Sequence, residues 1–248
     1  MPLLATALGL SLLGSIGGLI VASSLLLFTD SLRTRLIPWL ISYAVGALLG
    51  VALLALLPEA LQTLSPTAAF GTLLFGILLF FMLEKLVLLR HCHTDECHVH
   101  GAAAPLVLFG DAFHNFIDGA TICTAVLTSV PLGINTAIAV AAHEIPQEVG
   151  DFAILLASGY SRRKAMLLNL LSGLSGIAGA LLAYGAVEVL PNVKPYVLAV
   201  SSASLLYIAM SDLIPDLHRG SVDKSSIRQV FLIAAGILTV VVFGRFLE

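Results

Sequence analysis

Residues 105–128 read PLVLFGDAFHNFIDGATICTAVLT, and residues 132–157 read LGINTAIAVAAHEIPQEVGDFAILLA. Each stretch has the length a bilayer-spanning helix requires, roughly 20 largely apolar residues. Each also carries a polar cluster at mid-length: His114-Asn115-Phe116-Ile117-Asp118 in one, His143-Glu144-Ile145-Pro146-Gln147-Glu148 in the other. Lipid offers the backbone no hydrogen bonds, so such spans must be helices. Ionisable side chains at that depth are costly, and they mark a substrate or ion path. No Lys or Arg occurs between Arg90 and Arg162, whereas Asp111, Asp118, Glu144, Glu148 and Asp151 all do. Carboxylates without a basic partner need a cation, which points to a membrane conduit for divalent metal.

The rest of the chain agrees. It is 58% hydrophobic and 11% charged, with a mean hydropathy of +1.02, where a soluble domain would be about a quarter charged. No hydrophilic stretch is long enough for a second domain, so residues 1–248 are expected to form one multi-pass domain in the cell (inner or plasma) membrane. The net charge of -3 gives no footprint for nucleic acid. Three cysteines are too few for a disulfide framework. Residues 3–28 lack the basic start of a signal peptide and read as a retained helix.

Eight spans are expected: 3–28, 38–57, 67–89, 105–128, 132–157, 164–189, 196–217 and 227–247. Turn chemistry separates them, as at Pro131-Leu132-Gly133, Ser158-Gly159-Tyr160 and Pro191-Asn192. With eight spans, the loops after the first, third, fifth and seventh share a side and hold ten of the twelve Lys and Arg; the other side holds Lys194 and Arg245. Basic residues mark the cytoplasmic side, which places both termini outside it. The second span ends Leu57-Pro58-Glu59 and the seventh Ile214-Pro215-Asp216. Similar ends on oppositely directed helices suggest an inverted repeat in a 3+2+3 arrangement, with the fourth and fifth spans between the repeats. Ser172, Gly176 and Ala180, with Ser175 and Gly179, recur at four-residue spacing and read as close helix contacts. Glu84 and Lys85 read as a helix-end ion pair.

On a helix, residues three and four apart share a face. Asp111, His114, Asn115 and Asp118 therefore point one way from the fourth span, and Glu144, Gln147, Glu148 and Asp151 one way from the fifth, with His143 a turn before Gln147. If the faces meet, they supply imidazole nitrogen with carboxylate and amide oxygen, a set that suits Zn(II), Fe(II), Mn(II) or Co(II). Pro146 lacks an amide hydrogen, so the carbonyl of Ala142 is freed as a further ligand. The segment 91–100, with His91, Cys92, His93, Cys97, His98 and His100, is metal-binding by composition and falls in the cytoplasmic loop after the third span.

Together the two motifs resemble those of the Zrt-, Irt-like (ZIP) family of divalent-metal transporters, in a prokaryotic branch carrying His-Glu-Ile-Pro-Gln-Glu. The family's His-Asn-x-x-Asp/Glu is matched by His114, Asn115 and Asp118, and its His-Glu-x-Pro-His-Glu by His143, Glu144, Pro146 and Glu148. The resemblance implies a primary site lined by His114, Asp118, His143 and Gln147, an adjoining one formed by Asn115, Glu144 and Glu148, and assembly as a homodimer. It implies transport by an elevator-like or rocking motion, with the metal as substrate and no prosthetic group. Asp111, Asp151, His91, His93, His98 and His100 are auxiliary candidates. Three departures bear on metal identity: Gln147 where many members have His, Val51 and Ala55 where some have Asp and His, and Gly176 where another branch has a carboxylate.

The chain is thus expected to be a transporter, not an enzyme, that takes zinc into the cytoplasm, with iron, manganese, cobalt or cadmium as other cargoes. A proton-coupled cation antiporter is the alternative. An intramembrane zinc protease is disfavoured, because the His-Glu-x-x-His helix it requires has Gln147 in the second histidine position. Deleting 91–100 is expected to leave metal uptake intact but slower or deregulated; complete loss of flux in vesicles would make that loop part of the path itself.

Overall fold

The computed structural model describes residues 2–25, 27–89, 99–218 and 224–247, and these are helix and turn throughout. Grouped by continuous runs they form eight rods: α1 (Pro2–Leu25), α2 (Ser31–Leu61), α3 (Pro66–Leu89), α4 (Val99–Thr128), α5 (Val130–Ala157), α6 (Arg162–Val189), α7 (Pro191–His218) and α8 (Lys224–Leu247). Six of them are long and apolar enough to cross a membrane; the other two, α4 and α5, carry the polar clusters.

Local chemistry sets the ends. The Ser129 hydroxyl accepts from the Leu132 amide at 3.2 Å and starts α5, with Pro131 in the first turn. Ser161 does the same for α6 through the Lys164 amide at 3.3 Å. Side-chain oxygens at these positions satisfy amides that no helical carbonyl reaches. Between them Gly159 takes φ +86°, which only glycine adopts without a Cβ clash. Two starts differ from the sequence reading: α2 and α4 run upstream of Pro38 and Pro105, which both lie inside helix. An apolar run measures the part of a helix inside lipid, not its continuation into the interface.

The rods pack in two sets. In one, α4 lies against α6, α1 against α5, and α4 against α5; in the other, α2 lies against α8 and α3 against α7, with α2 also meeting α5. Glycine makes the two closest approaches. A Cβ on Gly119 would strike the Gly176 carbonyl of α6, and one on Gly179 the Phe116 carbonyl of α4. Likewise a Cβ on Gly46 would strike the Ile233 carbonyl of α8, and one on Gly236 the Tyr43 carbonyl of α2. Hydroxyls fasten the first pair further: Ser175 donates to the Ala112 carbonyl at 2.5 Å and Ser172 to the Leu108 carbonyl at 3.3 Å. Backbones this close gain dispersion and interhelical hydrogen bonds, the forces that associate helices in lipid.

The sequence echo between α2 and α7 has a structural counterpart. Each helix widens into a π turn, Ala52–Leu56 in α2 and Ile208–Leu213 in α7. One turn closes through the Leu57 amide on the Ala52 carbonyl, immediately before Pro58; the other closes through Ile214 on Ala209, immediately before Pro215. A proline ring clashes with the carbonyl four residues back, and a widened turn is one way a helix absorbs the clash. Ser202 of α7 donates to that same Ala52 carbonyl at 3.2 Å, joining α7 to the π turn of α2.

Glu84 and Lys85 do not behave as an isolated pair. Tyr207 of α7 donates a hydrogen bond to Glu84, and the Lys85 ammonium lies 5.8 Å above the Phe81 ring. The α3–α7 contact offers Glu84 a donor that sequence adjacency hides.

Gly119→Val is expected to destabilise the protein by about 1–3 kcal/mol, the usual cost of overpacking. Gly17→Ala, where nothing lies within 4 Å of the added Cβ, should be neutral or slightly stabilising. Thermal unfolding in detergent reads both; a Gly119→Val protein melting with the wild type would mean that the α4–α6 approach is not tight.

Candidate metal centre

The faces of α4 and α5 meet. The Nε2 atoms of His114 and His143 lie 2.8 Å apart, with the rings edge-on at 86°. The Oδ2 of Asp118 lies 3.5 Å from His114 Nε2 and 3.1 Å from His143 Nε2. The Oε1 of Glu144 lies 3.7 and 3.8 Å from the same two nitrogens. A tetrahedral zinc site with bonds of about 2.0 Å has ligand–ligand edges of roughly 3.3 Å, so the observed separations bracket those of a four-coordinate N2O2 cage.

Orientation supports this geometry. His143 Nδ1 sits 3.1 Å from the Ala139 carbonyl, one turn earlier on α5. With the proton on Nδ1, its Nε2 lone pair faces the cluster, the outer-shell arrangement that metal-binding histidines use. Asp118, His143 and Glu144 are 0–1% exposed, whereas His114 is 16% exposed. Both oxygens of Asp118 and of Glu144 lack hydrogen-bond partners among the described residues, although Asp118 lies within ion-pair distance of both histidines. Gly18 of α1 brings a backbone against this region: a Cβ there would lie 2.8 Å from that of Glu144.

A second cluster adjoins the first. One oxygen from each of Asp111, Glu144 and Glu148 falls within 4.8 Å of the others, so Glu144 belongs to both groups. The two carboxamides turn toward Asp111: Asn115 Nδ2 donates to its Oδ1 at 2.9 Å and Gln147 Nε2 donates to it at 3.3 Å. This leaves Asn115 Oδ1 buried and without a partner. Asn115 and Gln147 therefore share Asp111, while His114, Asp118, His143 and Glu144 make the imidazole cage. Asp151 lies outside both clusters and lines the cavity below them. His91, His93 and His98 lie outside the described residues, as do Cys92, Cys97 and the side chain of His100.

A cavity of about 550 Å³ reaches this centre at His114, Asp111 and Gln147. Its outer wall carries Glu84, Asp151, Asp212 and Asp216, toward the C-terminal ends of α3, α5 and α7. A second cavity of about 660 Å³ lies toward the other end of α5, against Ser129, Asn135, Glu59, Gln62 and Arg245. Along α5 the stretch between the two includes Ala139 and Val140, both fully buried, and Ala139 belongs to the same buried apolar cluster as Val51, Leu56 and Ala125.

Residues absent from the sequence reading also belong to this region. Tyr207 and Asp212 come from α7, and Asn169 comes from α6, fully buried. The sequence signal for Asn169 is a lone amide in the apolar run Leu167-Leu168-Asn169-Leu170-Leu171.

Among the described residues the chain is helical, and two imidazoles and two carboxylates that could hold a metal ion are gathered between two long helices of a bundle with six apolar spans. The family described as ZIP Zinc transporter matches residues 89–244. Zinc transporter ZIP13 of Pongo abelii is 34% identical over 224 residues, 84% of this chain and 67% of that protein. Zinc transporter ZIP13 of Homo sapiens is 32% identical over 263 residues, 84% of this chain and 71% of that protein. Zinc transporter ZIP4 of Homo sapiens is 44% identical over 110 residues, 44% of this chain and 17% of that protein. The chain belongs to the ZIP family of metal-ion transporters and is a multi-pass membrane protein.

His143→Ala is expected to weaken zinc binding by more than about a hundredfold, the upper end for losing even an outer-shell partner. Gln147→Leu removes only the 3.3 Å amide contact to Asp111 and should cost no more than about tenfold. Titration calorimetry on the purified protein separates the two; wild-type affinity in His143→Ala would exclude the cage as the zinc site.

Proposed function

We propose that this protein carries divalent transition metal, zinc foremost, into the cytoplasm through the cage of His114, Asp118, His143 and Glu144, with iron, manganese, cobalt and cadmium as lesser cargoes. The carrying observation is the 2.8 Å approach of two imidazole Nε2 atoms beside two buried carboxylates whose oxygens have no hydrogen-bond partner among the described residues. Two neutral imidazoles share only one proton across such a gap, whereas a cation satisfies all four groups at once. Asp111 and Glu148 extend the path from Glu144, Asn115 and Gln147 flank it, and Asp151 stands at its mouth. The metal is cargo, and the His-rich segment 91–100 is a cytoplasmic capture site for it.

In this proposal residues 1–248 are one domain whose eight helices all cross the membrane, in a 3+2+3 inverted repeat with both termini extracytoplasmic. The ten-to-two division of Lys and Arg supports the orientation, and the matched π turns before Pro58 and Pro215 support the repeat. By that orientation the cavity at His114 opens toward the cytoplasm, and the Asn135 cavity faces outward behind an apolar seal. A membrane potential then favours inward flow of a doubly charged ion by about 4.6 kcal/mol per 100 mV. Assembly as a homodimer rests on the family resemblance. The protease alternative loses support from Gln147, whose amide nitrogen turns to Asp111.

Proteoliposomes holding the pure protein test the proposal. Zinc uptake is expected, with loss in a His114→Ala, Glu144→Ala double variant, and Gln147→His should shift competition among Zn(II), Fe(II), Mn(II), Co(II) and Cd(II) toward zinc. Undiminished uptake by the double variant would remove these residues from the path.

A further inference from the structure

The cavity that reaches His114 is more apolar than the passage of a metal ion requires. Its walls between α3, α4 and α7 are built from Phe80, Leu83, Val107, Phe113, Ile117 and Ile208. A small dication seeks oxygen ligands and water, and gains nothing from hydrocarbon. Aromatic faces are offered as well: Phe80 and Tyr207 line the cavity with ring centroids 6.4 Å apart, tilted at 34°. Set into this wall are the carboxylates of Glu84, Asp111, Asp151 and Asp212, and no Lys or Arg lines the cavity among the described residues. Asp111 is 3% exposed, and its Oδ2 has no hydrogen-bond partner among the described residues. At about 550 Å³ the space falls within the range of small-molecule sites, roughly 300–1,000 Å³.

We infer that this cavity is a binding site for an organic cation, an ammonium ion carrying apolar substituents. Such a ligand lays its hydrocarbon on Leu83, Val107 and Ile208, and its charge near Asp111 and Asp212. Phe80, Phe113 and Tyr207 add aromatic faces, which attract ammonium through the ring quadrupole. Charge complementarity selects this occupant: acids in the wall repel an anionic lipid headgroup or a fatty acid, and a neutral apolar molecule would leave the carboxylates unanswered. The ligand needs no metal to bind, so the site is independent of the imidazole cage. Its consequence for transport does rest on the proposed metal path, because an occupant of this cavity stands between the cage and the cytoplasm.

The probe is tetrabutylammonium, which has no lone pair to coordinate zinc, titrated calorimetrically into the full chain in detergent. Wild type is expected to bind one equivalent, and tetramethylammonium at least about a hundredfold more weakly, since it lacks the buried methylenes. A Glu84→Gln, Asp212→Asn double variant should bind tetrabutylammonium at least about tenfold more weakly, the scale of losing a close charge pair. Phe113→Leu, which keeps the hydrocarbon but removes the ring, should cost about two- to thirtyfold. Zinc affinity in each variant reports folding. Should the double variant not fold, Val107→Trp, which fills the cavity, is expected to abolish binding in its place. No binding by wild type, equal binding of tetramethylammonium, or undiminished binding by these variants overturns the inference. Zinc uptake by proteoliposomes with tetrabutylammonium on both sides reads the metal path separately. Slowed uptake is expected; binding with undiminished uptake leaves the ammonium site standing and removes the cavity from the path.

Discussion

Buried negative charge that meets imidazole but no Lys or Arg among the described residues governs this molecule. Asp118 and Glu144 are buried, and the ion pairs they make among the described residues are with His114 and His143. Removing an ion from water costs several kcal/mol even after the protein relaxes, so an acidic bundle of this kind holds together on protons or on metal. Proton and metal compete for the same lone pairs, because ligands must be deprotonated to bind. The polar interior is therefore built for exchange and not for permanent burial. A resident Lys or Arg would balance the charge and close the path.

The scaffold answers the demand that two short polar faces stay in register inside lipid. Glycine at Gly119, Gly176 and Gly179 lets α4 and α6 touch through their backbones, and Ser172 and Ser175 bolt that contact with hydroxyls. Gly18 brings α1 against Glu144. The cage helices thus have firm neighbours behind them, while α2 and α7, each interrupted by a π turn before a proline, face them from the other set. Widened turns are common at functional sites, and here both sit in helices whose residues line the two cavities.

Much of this was legible in the sequence because lipid enforces simple rules. Hydropathy found the helices, the three-and-four spacing found which of their residues share a face, and the absence of Lys and Arg between Arg90 and Arg162 found the charge imbalance. Pairings that depend on orientation within the site were not legible. Asn115 and Gln147 look like ligands in a linear motif, yet both amides turn to Asp111, since a carboxylate one turn away or across the interface is the strongest acceptor within reach. Asn169 was invisible because one amide in a leucine-rich helix has no periodic signature. The hydrogen bond that Glu84 accepts from Tyr207 was not legible because Tyr207 lies 123 residues away in the chain. Helix starts upstream of Pro38 and Pro105 were missed because hydropathy ends where lipid ends.

X-ray absorption at the zinc edge, on protein loaded with one equivalent of zinc, tests the central claim most directly. A cage of His114, His143, Asp118 and Glu144 gives two imidazole nitrogens and two oxygens at about 2.0 Å, with no sulfur at about 2.3 Å. A shell of oxygen alone, or one containing thiolate sulfur, would contradict it.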